Sequence, residues 1–129
     1  ATAEERKVLF GSPDNVFEIV RSRSYEGHPM SYEIIVVPTD IFPGLLERAP
    51  LPNTLYVLFQ QAYSCAIISA EENLQASIVG KQAAELLAID PTTPALIVRR
   101  KAIDLADRVV ELRTSTYLTN EFSYAITLN

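Results

Sequence analysis

The chain has 129 residues, 48% of them hydrophobic, the size of one ordinary domain built around a single core, with no second domain expected. Eleven Lys and Arg against sixteen Asp and Glu leave a net charge of -5, so the chain lacks the positive face that gripping nucleic acid requires. One cysteine and one histidine exclude an internal disulfide and the usual zinc clusters, and no apolar run approaches the roughly 20 residues that span a bilayer.

The start, Ala1-Thr-Ala-Glu-Glu-Arg-Lys7, lacks the apolar core of a signal peptide, which predicts a soluble, cytoplasmic protein. Without an initiator methionine, the chain reads as a processed protein or a piece of a longer one. Thr2 followed by Glu5 has the spacing of a capping box and predicts a short helix over residues 3–9, ahead of a turn at Gly11 to Asp14. Val16 to Tyr25 alternates as a β-strand. Glu26-Gly-His-Pro29 is a turn cluster, so residues 30–37 are the returning arm of an antiparallel hairpin, ended by Pro38.

Residues 39–52 carry three prolines and one glycine and predict one short helix near 40–48 in a segment that covers the core. Leu55, Leu58, Phe59 and Ala62 recur at helical spacing, giving a helix over 54–63 with the Thr54 hydroxyl as its cap. Residues 65–78 read as an extended run interrupted by Glu71-Glu-Asn73. An amphipathic helix over 79–88, with Val79, Ala83, Leu86 and Leu87 as its apolar residues, stops before Asp90-Pro91. Residues 95–105 and 109–118 are β-rich runs joined by Ala106-Asp-Arg108, and 122–128 is a final strand. Hairpin-connected strands with irregularly placed helices predict an α+β domain, an antiparallel sheet flanked by helices.

Two constellations stand out. Arg21 and Arg23 share a strand face with Phe17 and Ile19, and two fixed charges there are costly to bury unless something anionic answers them. In the next strand Ser31, Glu33, Ile35 and Val37 share one face and Met30, Tyr32, Ile34 and Val36 the other, so the strand is central and covered on both sides. Glu33 then needs a partner, which Arg21 and Arg23 offer. The pair is either part of a pocket wall or a buried ion pair that only fixes register. In the strand over 109–118, Glu111, Arg113, Ser115 and Tyr117 share a polar face. It either meets solvent or lines the same cavity, with Glu111 accepting from hydroxyls or an amine and Tyr117 covering or bonding a ligand. His28 reads as a surface turn residue and Cys65 as a small hydrophobe. Phosphate-loop, dinucleotide, nucleophile-elbow and metalloprotease motifs are absent from the sequence.

The order of motifs resembles the UTRA domain, the effector-binding half of GntR-family transcription regulators of the HutC type. Phe17-Glu-Ile-Val-Arg-Ser-Arg-Ser-Tyr-Glu-Gly-His-Pro-Met-Ser-Tyr-Glu33 resembles that family's "R-x-R … D/E-G-x-P … E" hairpin. Asn53-Thr-Leu-Tyr-Val-Leu58 is similar to its "S-L-Y-x-x-L" helix start, and residues 83–100 to its "A-x-x-L-x-x-x-x-G-x-P-x-L-x-x-x-R" segment. Val109-Val-Glu-Leu-Arg-Thr-Ser-Thr-Tyr117 is similar to its closing "P-V-E-x-x-x-x-x-Y" strand. The chain departs from these patterns at Thr54 (usually serine), Asp90 (usually glycine) and Val109 (usually proline).

The resemblance implies a chorismate-lyase-like fold that binds a small anionic effector, with no cofactor, no metal and no catalysis. It implies that Arg21 and Arg23 hold the anionic group and that Glu33, Glu111 and Tyr117 contact the remainder. It further implies a homodimer, with DNA contacted only through a winged-helix half absent from this chain. The rival readings are a chorismate-lyase-like enzyme that would release pyruvate and an interaction domain with structural ion pairs and no ligand.

Overall fold

The computed structural model describes residues 1–120, so the strand expected over 122–128 lies outside the described residues. In chain order the elements are α1 (Ala3–Val8), β1 (Val16–Tyr25), β2 (His28–Pro38), a 3-10 turn (Leu45–Arg48), α2 (Leu55–Tyr63), β3 (Ile67–Ile78), α3 (Lys81–Leu87), β4 (Pro94–Asp104) and β5 (Val109–Leu118). The strands form one antiparallel sheet in the order β1-β2-β5-β4-β3. This is the α+β architecture that the sequence predicts.

Local sequence explains most boundaries. Glu5 N–H donates to Thr2 Oγ1 at 3.1 Å and Thr2 N–H donates to Glu5 Oε1 at 2.8 Å, so the expected capping box starts α1. The β1–β2 turn needs only Glu26 and Gly27, at φ of 50° and 79°, and β2 therefore begins at His28 rather than Met30. At the β4–β5 hairpin, Asp104 accepts from the backbone of Ala106 and Arg108 at 3.0 and 2.9 Å and pairs with the Arg108 guanidinium at 2.7 Å. Burial alone would raise the Asp104 carboxyl, but Arg108 outweighs it and holds it below the ordinary carboxylate value.

Other expectations are corrected. The helix foreseen near 40–48 shrinks to the 3-10 turn, because Pro43 and a left-handed Gly44 (φ 71°) break the chain just before it. Thr54 occupies the N-cap of α2, but its side chain makes no capping bond. Glu71-Glu-Asn73 does not interrupt β3, which runs on for 12 residues, since Glu72 pairs with Arg100 of β4 while Glu71 and Asn73 stay exposed on an edge strand. α3 starts only after Gly80. Val79 is buried ahead of it, and Ala83, Ala84 and Leu87 form its inward side while Leu86 faces out.

Alternation along the paired strands divides the sheet into two faces. The first carries Ile19, Arg21, Glu33, Ile35, Arg113, Ser115, Arg100 and Glu72 in register. Here the core is Ile19, Ile35 and Val37 with Phe42, Leu45, Leu55 and Phe59, so residues 39–54 and α2 do cover this side. Phe42 and Phe59 stack with ring centroids 4.3 Å apart, and each such ring contributes roughly 1.5–3 kcal/mol on burial. On the second face α3 packs over Tyr32, Ala95 and Leu118. Beside it lies a groove of about 920 Å³, lined by Glu18, Ile34, Val36, Leu112, Thr114, Arg99 and Lys101 of the strands and by Thr2, Glu5 and Val8 of the first helical segment.

Candidate functional site

The β1–β2 register sets Arg21 opposite Glu33, and their side chains pair at 3.3 Å with little exposure, 17% and 6%. Arg21 Nη1 also donates to the carbonyls of Pro52 and Asn53 at 3.2 and 3.3 Å. The guanidinium is thereby drawn under the segment that leads into α2. Arg23, two residues further along, is exposed beside a bulge, with Ser31 as its register partner. The two arginines share a face, but only Arg21 is turned into the protein.

Arg113 continues the pattern across β5. Its Nη1 lies 3.9 Å from Glu33 Oε1, while Nε and Nη2 grip both oxygens of Glu111 at 3.2 and 3.0 Å. Glu111 is fully buried and also accepts from the Tyr56 hydroxyl at 2.7 Å. The Arg113 guanidinium lies 5.2 Å from the centre of the Tyr56 ring. Arg100, the register partner of Arg113 on β4, donates to the Tyr56 hydroxyl at 3.2 Å and pairs with Glu72 of β3 at 2.9 Å. Tyr56 and Glu111 thus answer two arginines that would otherwise repel. Arg21, Glu33, Arg113, Glu111, Tyr56, Arg100 and Glu72 form one line of alternating partners over the five described strands.

Burial of such charges costs several kcal/mol per ion unless each is paired and hydrogen-bonded, and this network supplies both. Burial, followed by the adjacent Glu111 carboxylate, pushes the Tyr56 phenol up to about 12. Burial would lower Arg113, but the Glu111 carboxylate more than offsets it, so the guanidinium holds its proton more tightly than usual. The phenol therefore stays neutral, and the Arg113 guanidinium stays charged, throughout the neutral range.

Of the five residues singled out in the sequence, Arg21 and Glu33 are directly paired and Glu111 is reached through Arg113. Tyr117 is half-buried on the same face, next to Ser31 in register, and Arg23 stands at the exposed strand end. Arg113 and Ser115, for which solvent was an equal alternative, face inward, because β5 lies between β2 and β4 with α2 above it. Tyr56 and Arg100 were not singled out. Both stand inside the quoted motifs, Tyr56 as the aromatic of the helix start and Arg100 as the closing arginine of its segment.

Two buried polar atoms lack a hydrogen-bond partner among the described residues, Arg21 Nε and Ser31 Oγ. They belong to diagonal neighbours on the first face, since Ser31 lies two residues from the Glu33 that opposes Arg21. An unsatisfied buried group costs about 1–3 kcal/mol. The groove on the opposite face sets Glu5, Glu18 and Glu71 beside Arg99 and Lys101. Its lining is mixed in sign, and neither unpartnered atom belongs to a residue that lines it. Among the described residues no group of His, Cys, Asp and Glu could hold a metal ion, and no helix is long and apolar enough to cross a membrane.

The UTRA domain family matches residues 1–123. Among solved structures, the ligand-binding domain of a Bordetella bronchiseptica protein assigned as a GntR-family transcriptional regulator is 30% identical. It superposes with a TM-score of 0.85, over 100% of this chain and 84% of that one. A GntR-family transcriptional regulator from Enterococcus faecalis V583 is 19% identical, with a TM-score of 0.87 over 99% of this chain and 92% of that one. PhnF from Mycobacterium smegmatis is 22% identical, with a TM-score of 0.79 over 88% of this chain and 50% of that one. The last two likenesses concern the fold alone.

Proposed function

Since the chain belongs to the UTRA domain family, found in GntR-family transcriptional regulators, we propose that it is the effector-binding domain of a HutC-type regulator that senses a small anionic metabolite and controls DNA binding allosterically. The observation that carries this reading is the pair of buried, unpartnered polar atoms, Arg21 Nε and Ser31 Oγ, on the network face. A phosphate or carboxylate oxygen accepts from both an N–H and a hydroxyl, so one anionic group answers both atoms. Arg23 at the rim adds charge, Glu33 and Glu111 orient hydroxyls or an amine, and Tyr117 contacts the remainder of the ligand.

Coupling to the rest of a regulator follows from Arg21. Its Nη1 holds the carbonyls of Pro52 and Asn53, at the approach to α2. An anion that draws the guanidinium toward itself competes with those bonds and changes how α2 and the covering segment sit. A ligand that favours one arrangement shifts the population toward it. In this reading DNA is contacted by a winged-helix half outside these residues, two copies act as a cytoplasmic homodimer, and no reaction is catalysed. Acid-base catalysis wants a group that titrates near neutrality. The Tyr56 phenol is pushed to about 12, and His28 is exposed at the β1–β2 turn.

Thermal unfolding against a panel of phosphorylated sugars, carboxylates and amino-acid derivatives tests the proposal, because a ligand of the folded state raises the midpoint. At a ligand concentration of 100 Kd the stabilisation is about 2.7 kcal/mol. Arg21→Ala is expected to abolish the shift while the domain still folds, since Glu33 keeps Arg113 as a partner. A shift that survives Arg21→Ala, or conversion of chorismate to 4-hydroxybenzoate by the chain, would overturn the reading.

A further inference from the structure

We propose that the edge strand β3 is a homodimer interface, pairing antiparallel with β3 of a second copy about a two-fold axis through Asn73. The idea extends the homodimer part of the preceding reading and is independent of the effector pocket.

The first argument is exposure. Among the described strands β3 has a partner on one side only, yet it is 12 residues long and exposed from Ile68 to Ile78. Natural edges are blunted by lysine, proline, short length or an inward charge, because a free row of N–H and C=O groups recruits another strand. β3 contains neither lysine nor proline, its one inward charge, Glu72, is paired with Arg100, and it holds Ile68, Leu74 and Ile78 in the open, 60%, 43% and 52% exposed. The opposite edge, β1, carries two cations, Arg21 and Arg23, and is bulged after Arg23, within its length rather than at its start.

The second argument is self-complementarity. The segment Ile68-Ser-Ala-Glu-Glu-Asn-Leu-Gln-Ala-Ser-Ile78 is nearly palindromic about Asn73. A two-fold axis there sets Ile68 opposite Ile78, Ser69 opposite Ser77 and Ala70 opposite Ala76 of the other copy. Glu71 then meets Gln75, Glu72 meets Leu74, and Asn73 meets itself. An isologous interface demands this matching of a segment with its own reverse. No like charges stand directly opposed, and Glu72 is already neutralised by Arg100 of its own chain at 2.9 Å.

Alternation also sorts the pairs by face. Ala70, Leu74, Ala76 and Ile78 of both copies fall on one face together with the Arg100-paired Glu72, and the two Leu74 side chains are diagonal neighbours there. Ser69, Glu71, Asn73, Gln75 and Ser77 fall on the other. Ile68 sits at the bulge that starts β3, so the Ile68–Ile78 pairs close the two ends of the ladder. The result joins two five-stranded sheets into one continuous sheet.

Cross-linking tests the interface and its register together, with sedimentation as the measure of mass. The chain is expected to sediment at twice the 14.3 kDa of one copy. Directly opposed residues have Cα atoms about 4.5–5.5 Å apart, within disulfide range. Asn73→Cys should therefore oxidise to a linked dimer. Glu71→Cys mixed with Gln75→Cys should link the two variants to each other, while either alone stays unlinked, its own copy lying four residues away, roughly 13 Å. Cys65 is buried and does not compete. A monomer at hundreds of micromolar, or a dimer in which Asn73→Cys and the 71/75 mixture fail to link, would overturn the proposal and leave the effector pocket untouched.

Discussion

Arg113 is the residue on which most of the site depends, since among the described residues it alone is shared by Glu33 and Glu111. Arg113→Met keeps the apolar stem and removes the charge, leaving Glu111 with only the Tyr56 hydroxyl. Loss of one partner from a buried ion pair costs about 3–5 kcal/mol, so urea titration should show the midpoint of this variant falling well below wild type. An unchanged midpoint would mean that the network is ornamental. Tyr56 makes a second prediction through pH. Its folded phenol titrates at about 12 against an ordinary 10.0, so between those values the folded chain holds a proton that the unfolded chain has lost. The contribution is complete below pH 10 and disappears as pH rises through 12. Tyr56→Phe should flatten that alkaline loss when unfolding free energy is measured against pH. Period-two alternation made Arg21, Glu33 and Glu111 legible in the sequence. It could not decide whether the Arg113 face meets water or protein, because that depends on which strands flank β5, and it could not foresee that Arg23 lies where β1 leaves the covered part of the sheet.

At the scale of elements, α2 and the covering segment hold the network face dry. Phe59 anchors them, with Phe42 4.3 Å and Tyr56 6.1 Å from its ring centre. Phe59→Ala should cost roughly 3–5 kcal/mol in chemical denaturation, from lost burial together with the cavity left behind. A smaller cost would indicate that the segment collapses into the space. Here the sequence was informative wherever a local rule operated alone: the Thr2–Glu5 capping box and the limits of β5 follow from near neighbours, and the β1–β2 hairpin was legible although its turn takes two residues rather than the four of the Glu26-Gly-His-Pro29 cluster. It misled where a local preference was overridden. Val79 looks like the first apolar position of a helix, but Gly80 at φ 83° sends the chain elsewhere, and Val79 packs as a lone plug ahead of α3. The acidic run in β3 looked like an interruption until β4 supplied Arg100 across from Glu72.

For the whole molecule, the antiparallel α+β class was readable from the hairpins, whereas the strand order was not. β2 pairs with β5 across most of the chain, and no local pattern specifies that contact. Yet this pairing creates the site, since it brings Arg113 and Glu111 to the side of Glu33. The alternating charges then run from the edge near the α2 approach to the edge proposed for pairing, so the two proposed interactions lie at opposite ends of one network. The central claim is that an anion binds on the network face through the inward edge of Arg21, and the most direct test is nuclear magnetic resonance of the arginine side-chain Nε–H groups during titration. Adding inorganic phosphate, and then the metabolite that raises the melting midpoint, should move the Arg21 Nε–H signal, with the Ser31 amide following at the same ligand concentration. If instead the midpoint rises while Arg21 stays fixed and the signals of Ile34, Val36, Leu112 and Arg99 shift, the ligand occupies the opposite groove and the account is contradicted.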